Sequence, residues 1–213
     1  MTTFTTEDRV AIEQGSKEWH LSRLGKVTAS RIADVLSKGK SGESASRKNY
    51  RTELVVQRLT GVPGESFTNA AMEWGTATEP FARIAYESEM GIFVNQVAFI
   101  DHPSIGNFGC SPDGCIADDG LLEIKCPNSS THIEYLTDDK PPSKYVPQMQ
   151  CQMAVTGRQW CDFVSFDPRL PEDLQLFVVR LNRDVEYIKA MEVEVEKFLS
   201  EVEEMFTKLK ERK

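Results

Sequence analysis

The chain has 213 residues and a formal charge of −8, with 40% hydrophobic and 27% charged residues, the composition of an ordinary globular protein with a substantial core. No unbroken apolar run reaches the roughly 18 residues of a helical membrane span, and the opening MTTFTTEDRV lacks the basic and apolar regions of a secretory signal. The acidic balance excludes a protein that coats nucleic acid by bulk electrostatics, but a local basic groove stays open because acidic residues concentrate near the C-terminus.

In chain order, Gln14-Gly15-Ser16 is a cap-like entry to a short helix carrying Glu18, Trp19, His20 and Arg23, ending near Gly25. Val27-Thr28-Ala29-Ser30 opens a second helix over about Ser30–Ser37, with Thr28 or Ser30 as its cap. A helix start bearing hydroxyls, with Arg23 close by, can cradle a phosphate. Local sequence equally allows Ser30 merely to cap and Arg23 merely to pair with Glu18.

The segment Lys38–Lys48, KGKSGESASRK, lacks periodicity and reads as a mobile surface loop. A helix follows from about Asn49 to Thr60, with Leu54, Val55 and Leu59 inward and Gly61 as its stop. Ala70–Gly91 reads as one helix, or two joined at Gly75, with Ala77, Phe81, Ile84 and Ala85 as its apolar stripe. Glu79 lies off that stripe: either it faces solvent or it is a third carboxylate aimed at a metal site. Phe93–Ile100 reads as a strand pairing with those of the hairpin that follows.

The chemistry concentrates in Cys110–Cys126, CSPDGCIADDGLLEIKC. On a strand, Glu123 and Lys125 share one face and Ile124 takes the other. Asp118-Asp119-Gly120 supplies the positive-φ positions of a hairpin turn, and closing that hairpin returns Asp113 to the side of Glu123. Two carboxylates and an ammonium thus converge. Hard oxygen ligands suit Mg²⁺ or Mn²⁺, and a neighbouring lysine can hold or deprotonate a water.

Beyond this stretch, Ser143–Val155 reads as a helix with Gln148, Gln150 and Gln152 as its polar residues. Positions two apart differ by about 200° around a helix, so the three cannot share a face. Trp160–Phe166 and Leu174–Leu181 read as strands. A long helix from Asp184 carries Val185, Ile188, Met191, Val195, Phe198, Val202, Met205 and Leu209 at helical spacing. The 5 cysteines form no CxxC pair and read as free thiols, and the 3 histidines show no zinc-type spacing. No repeat or linker divides the chain, so a single domain over 1–213 is expected.

The order Pro112-Asp113, then Glu123-Ile124-Lys125, resembles the PD-(D/E)XK nuclease signature. Further strings appear in a matching order: EQGSKEWHLSRLGKVTAS, MEWGTATE, CSPDG, LLEIKCP, YVPQMQCQMAVTG and FVSFDPR. Together they resemble the phage lambda-type alkaline exonucleases, the YqaJ-like viral recombinase family, from Gln14 to the final helix. The resemblance implies an α/β, restriction-endonuclease-like core: a central mixed β-sheet flanked by helices, with a long C-terminal helix.

It further implies that Asp113 and Glu123 hold two Mg²⁺ ions (or Mn²⁺), with Glu79 near the second and the Ile124 carbonyl completing the set. Lys125 would activate the attacking water, with Gln150 near the same centre, and Arg23 and Ser30 would receive a 5′-terminal phosphate. The implied activity is 5′-to-3′ removal of one strand from duplex DNA with free ends, leaving 3′ overhangs for a single-strand annealing partner. The implied assembly is a homotrimeric ring, and the implied setting is the cytoplasm of a bacterial host of a phage or prophage. The segment Lys38–Lys48 does not align with the family. Two other readings stay open: a site- or structure-specific endonuclease on the same core, and a catalytically silent DNA-binding protein. Cleavage of closed circular plasmid marks the first, and the intact Asp113, Glu123 and Lys125 set argues against the second.

Overall fold

A computed structural model describes residues 14–40, 42–64 and 68–212. Its architecture is the expected restriction-endonuclease-like α/β arrangement. The centre is a mixed four-stranded sheet made by β6 (Gly114–Ile116), β7 (Gly120–Lys125), β8 (Trp160–Phe166) and β9 (Leu176–Asn182), adjacent in that order. β7 and β8 run parallel while both flanking pairs are antiparallel. The parallel step needs a crossover, and α5 (Ser129–Asp138) and α6 (Val146–Thr156) supply it.

Burial on both faces explains why β7 reads as a nearly continuous apolar run. Leu121 joins one core with Met149, Phe163 and the inner face of α7 (Val185–Lys210), whose Ile188, Met191, Val195, Phe198 and Val202 are buried as their spacing requires. Leu122 and Ile124 join the opposite core with Val164, Phe166 and the inner face of α4 (Ala70–Met90).

Several expectations need correction. The inward face of α4 is Thr78, Ala82 and Tyr86, while Phe81 and Ile84 are 63% and 62% exposed. Tyr86 fixes this rotation by donating to Asp162 Oδ2 at 2.7 Å beneath the helix. Of the two readings for this segment, the single helix holds: α4 runs uninterrupted through Gly75.

Phe93–Ile100 is not a strand. Asn95 makes one isolated bridge to Cys115, and within the segment only Ile100 lies in a strand, β4 (Ile100–Asp101), which pairs with β5 (Phe108–Cys110) and not with the hairpin. Lys38–Lys48 is not a loop throughout: β2 (Lys38–Gly39) pairs with β3 (Gly42–Glu43), and α3 starts at Ala45. Arg47 and Arg51 on α3 (Ala45–Thr60) both reach Glu43 and Glu201, which ties that small ribbon to α7. Leu59 is exposed, whereas Leu54 and Val55 are buried. Among the described residues, no helix is long and apolar enough to cross a membrane.

Candidate active site

The hairpin of β6 and β7 pairs Gly114 with Leu122, so Asp113 stands next to Glu123 in register. The positive φ of its turn lies at Ala117 (φ 44°) and not in Asp118-Asp119-Gly120. Arg158 stabilises that turn by donating to the carbonyls of Ile116, Ala117 and Gly120 at 3.0, 3.0 and 2.7 Å. Gly114 is required for space, since a Cβ there would collide with the Val94 side chain.

Asp113 Oδ2 accepts the Ile124 N–H at 2.7 Å. The Glu123 carboxylate is fully buried, and an uncompensated charge there would be very costly. Its Oε1 takes Lys125 Nζ at 2.5 Å and Gln148 Nε2 at 2.6 Å, and its Oε2 takes Gln152 Nε2 at 2.6 Å. Glu79 projects from α4 into the same cleft, of about 480 Å³, which Met72, Thr76, Lys125, Cys126 and Tyr145 also line.

The electrostatics follow from three carboxyl groups facing one ammonium. Burial lifts Asp113 well above the ordinary aspartate range, and Glu123 and Glu79 add to it, against the pull of Lys125 and the Ile124 N–H. Glu79 is raised chiefly by burial, with Arg83 and Lys125 opposing. Burial alone would lower Lys125, yet Glu123 and Asp113 hold it above its ordinary value. Lys125 is therefore a firmly protonated hydrogen-bond donor. The cluster sets three carboxyl groups against one ammonium, an excess of acidic groups whose ionised forms a bound cation would favour.

Among the described residues, no three acidic, histidine or cysteine side chains form a ready-made metal cage. This donor set still fits Mg²⁺, an ion that keeps several waters and is commonly held by one or two carboxylates.

The structure turns Gln150 away from this centre. Its amide donates to the Asn182 carbonyl at 2.9 Å and accepts the Asp184 N–H at 3.0 Å, fixing the junction between β9 and α7. Gln148 and Gln152, four apart and so on one helix face, take the place beside Glu123. Their i,i+4 spacing was the available signal.

A second cleft, of about 630 Å³, holds Trp19, Arg23, Thr28, Ser30 and Arg31, and Met72 lines both clefts. Ser16 caps α1 (Lys17–Ser22) through the Trp19 N–H. Arg23 follows directly, its guanidinium stacked 3.9 Å from the centroid of the Trp19 ring and its Nη2 3.4 Å from Ser30 Oγ. Ser30 lies in a short 3-10 turn before α2 (Ile32–Leu36), and neither Thr28 nor Ser30 caps through its side chain. Arg23 makes no ion pair among the described residues, so it does not pair with Glu18, and burial lowers its affinity for the proton. The Trp19 Nε1–H donates to Ser111 Oγ at 2.9 Å. The cationic pocket is thereby joined to the loop carrying Asp113.

Residues 18–159 match the family model of the YqaJ-like viral recombinase domain. The alkaline exonuclease LHK-Exo of Laribacter hongkongensis is 53% identical, with a TM-score of 0.87 over 92% of this chain and 97% of that one. LHK-Exo in complex with dAMP matches to the same degree. A phage-related exonuclease from Haemophilus somnus 129PT shares the fold, with a TM-score of 0.69 at 16% identity over 86% of this chain and 96% of that one. No curated protein sequence matches. With two thirds of its length inside the family model and a half-identical alkaline exonuclease spanning nearly all of it, the chain belongs to the YqaJ-like viral recombinase family and is a nuclease.

Proposed function

We propose that the protein is a metal-dependent 5′-to-3′ exonuclease on linear duplex DNA, degrading one strand and leaving 3′ overhangs for recombination by strand annealing. The observation that carries this reading is the junction of two clefts. One is lined by Glu79, Ile124 and Lys125, with Glu123 bonded to Lys125 and Asp113 to the Ile124 N–H behind them; the other holds Arg23, free of ion pairs among the described residues, beside Ser30; and Met72 borders both. A duplex end seated with its 5′ phosphate against Arg23 would lay the first phosphodiester toward the carboxylates.

Asp113 and Glu123, with Glu79 and the Ile124 carbonyl, would hold Mg²⁺ or Mn²⁺. When bound, two such ions stabilise the charge on the entering and leaving oxygens of an in-line displacement. Lys125 serves as a charged donor that orients a water or a phosphoryl oxygen, since Glu123 and Asp113 keep it protonated. Gln148 helps hold Glu123 and takes the role that the resemblance gave to Gln150. Arg23 offers a planar fork to a terminal phosphate, with Ser30 as a further donor. The dAMP complex of LHK-Exo supports a site in this family that accepts a deoxynucleoside monophosphate.

The protein would act as a closed homotrimer. A net charge of −8 offers little long-range attraction for DNA, so enclosure would retain the duplex. The outer face of α4, with Phe81 and Ile84 exposed, provides apolar surface of the kind subunit contacts use. A single-strand annealing protein is the expected partner for the overhang.

The test is incubation with linear and with closed circular duplex, in Mg²⁺ and in EDTA. Mononucleotide release from the linear duplex alone, and only with metal, is expected. Cutting of the closed circle would replace this reading with an endonuclease.

A further inference from the structure

Glu123 is held from two sides by amides that differ in setting. Gln148 is half-buried and shares Oε1 with Lys125, while Gln152 is fully buried and, among the described residues, alone donates to Oε2. We infer that Gln152 is a positioning residue for the nuclease reaction, fixing the Glu123 carboxylate so that Oε1 faces Lys125 and the adjoining cleft where a metal ion would be held. The inference rests on the proposed metal-dependent reading and concerns a residue that does not itself line the cleft.

The geometry leaves Gln152 little other work. Its Nε2 donates to Glu123 at 2.6 Å, and among the described residues its Oε1 has only the Cys161 thiol, a weak partner at 4.0 Å. Backbone bonding of α6 does not need this amide, because the helix continues to Thr156 and ends at Gly157 (φ 74°). A fully buried glutamine is costly unless its polar atoms are used. Here its one short bond goes to a carboxylate in the cluster of three carboxyl groups around Lys125. Without that donor Oε2 would sit unsatisfied in the core, and the carboxylate would rotate about its last torsion to share Lys125 and Gln148. Partners of this kind, behind a metal-holding carboxylate, typically contribute roughly 10- to 100-fold in metal affinity or activity.

The test is Mn²⁺ titration of DNA-free protein by calorimetry, with thermal unfolding and with kcat and KM on linear duplex measured in parallel. Gln152→Met keeps length and volume but removes the donor. It should weaken Mn²⁺ binding by about 10-fold or more and lower kcat at subsaturating metal, with KM for DNA little changed. Gln152→Asn, shorter but still an amide, should fall between Gln152→Met and the parent, and it decides the matter if the methionine variant does not fold. Gln150→Met, which breaks the bonds to Asn182 and Asp184, should lower the melting temperature without moving Mn²⁺ affinity. Mn²⁺ affinity unchanged in a folded Gln152→Met or Gln152→Asn protein would overturn this inference and leave the metal-dependent reading standing. Absence of Mn²⁺ binding by the parent protein would overturn both.

Discussion

Replacing Arg23 by alanine isolates the recognition of a 5′ end from the chemistry of cleavage. The guanidinium is half-buried, stacks on Trp19 at 3.9 Å and approaches Ser30 at 3.4 Å. No carboxylate among the described residues neutralises it. A hydrogen bond between charged groups contributes about 1.5–3 kcal/mol, and a bidentate fork on a phosphate makes a pair of them. Allowing for the water that reaches a half-buried site, a net loss of about 3 kcal/mol is reasonable, or roughly 100-fold in kcat/KM on 5′-phosphorylated ends. On 5′-hydroxyl ends the variant should stay within about tenfold of the parent, because no terminal phosphate is lost there. Loss of the half-buried stack on Trp19 costs about 1–2 kcal/mol, a drop of about 2–8 °C in melting temperature for a chain of this size. The assay follows mononucleotide release from two linear duplexes that differ only in the 5′ group. Equal slowing on both, with the fold intact, would make Arg23 a structural residue and refute the assignment of its pocket.

Asp113→Asn should abolish cleavage yet raise the melting temperature by about 2–6 °C, since it removes a carboxyl that burial, Glu123 and Glu79 hold at a raised pKa, while its amide oxygen can still accept the Ile124 N–H. Its ionisation opposes folding as pH rises through the ordinary aspartate range, so thermal melts of parent and variant should converge at acid pH; a variant less stable at pH 7 would contradict this. Asp167 behaves oppositely: burial would raise it, but bonds from Arg169 hold it at about 2. Its stabilisation, roughly 1–2 kcal/mol once the exposure of Arg169 is allowed for, is full above pH 4 and fades toward pH 2, and Asp167→Asn should flatten that part of the stability–pH curve. Phe81→Glu combined with Ile84→Glu should convert the proposed homotrimer to a monomer in light scattering, and a trimer that survives both charges would place the interface elsewhere.

Much of the centre was legible from residue types because strand geometry is strict. Once β7 is a strand, Glu123 and Lys125 must share a face, and the hairpin returns Asp113 beside them. Helix rotation was less legible wherever two faces competed. In α4, the stripe through Phe81 and Ile84 is more apolar than the one through Thr78, Ala82 and Tyr86. The latter is nonetheless buried, because Tyr86 has a partner in Asp162, itself bound by Arg180 at 2.7 and 2.9 Å. In α6, alternating glutamines showed that one set must face away from the other. Only the packing of Gln150 against the β9–α7 junction decides which. α5 was not foreseen, although Asn128 is a typical cap whose Oδ1 accepts the Thr131 N–H at 2.9 Å. The segment 93–100 has the residue types of a strand, yet among the described residues its backbone pairing is limited to the bridge from Asn95 to Cys115 and the start of β4 at Ile100. Strand propensity describes a fit to a half-buried surface and cannot supply a missing neighbour.

The central claim is polarity at a free end, and one measurement addresses it directly. A linear duplex carrying different fluorophores on the nucleotides next to its 5′ and 3′ termini is digested in Mg²⁺, with Glu123→Gln protein as the control. Release of the 5′-proximal label as a mononucleotide at the earliest times, retention of the 3′-proximal label on the same strand until that strand is nearly consumed, and no release by the control are the expected results. Early release of the 3′-proximal label, or release by Glu123→Gln at the parent rate, would contradict the placing of a 5′ end against Arg23 and of the chemistry at Asp113, Glu123 and Lys125.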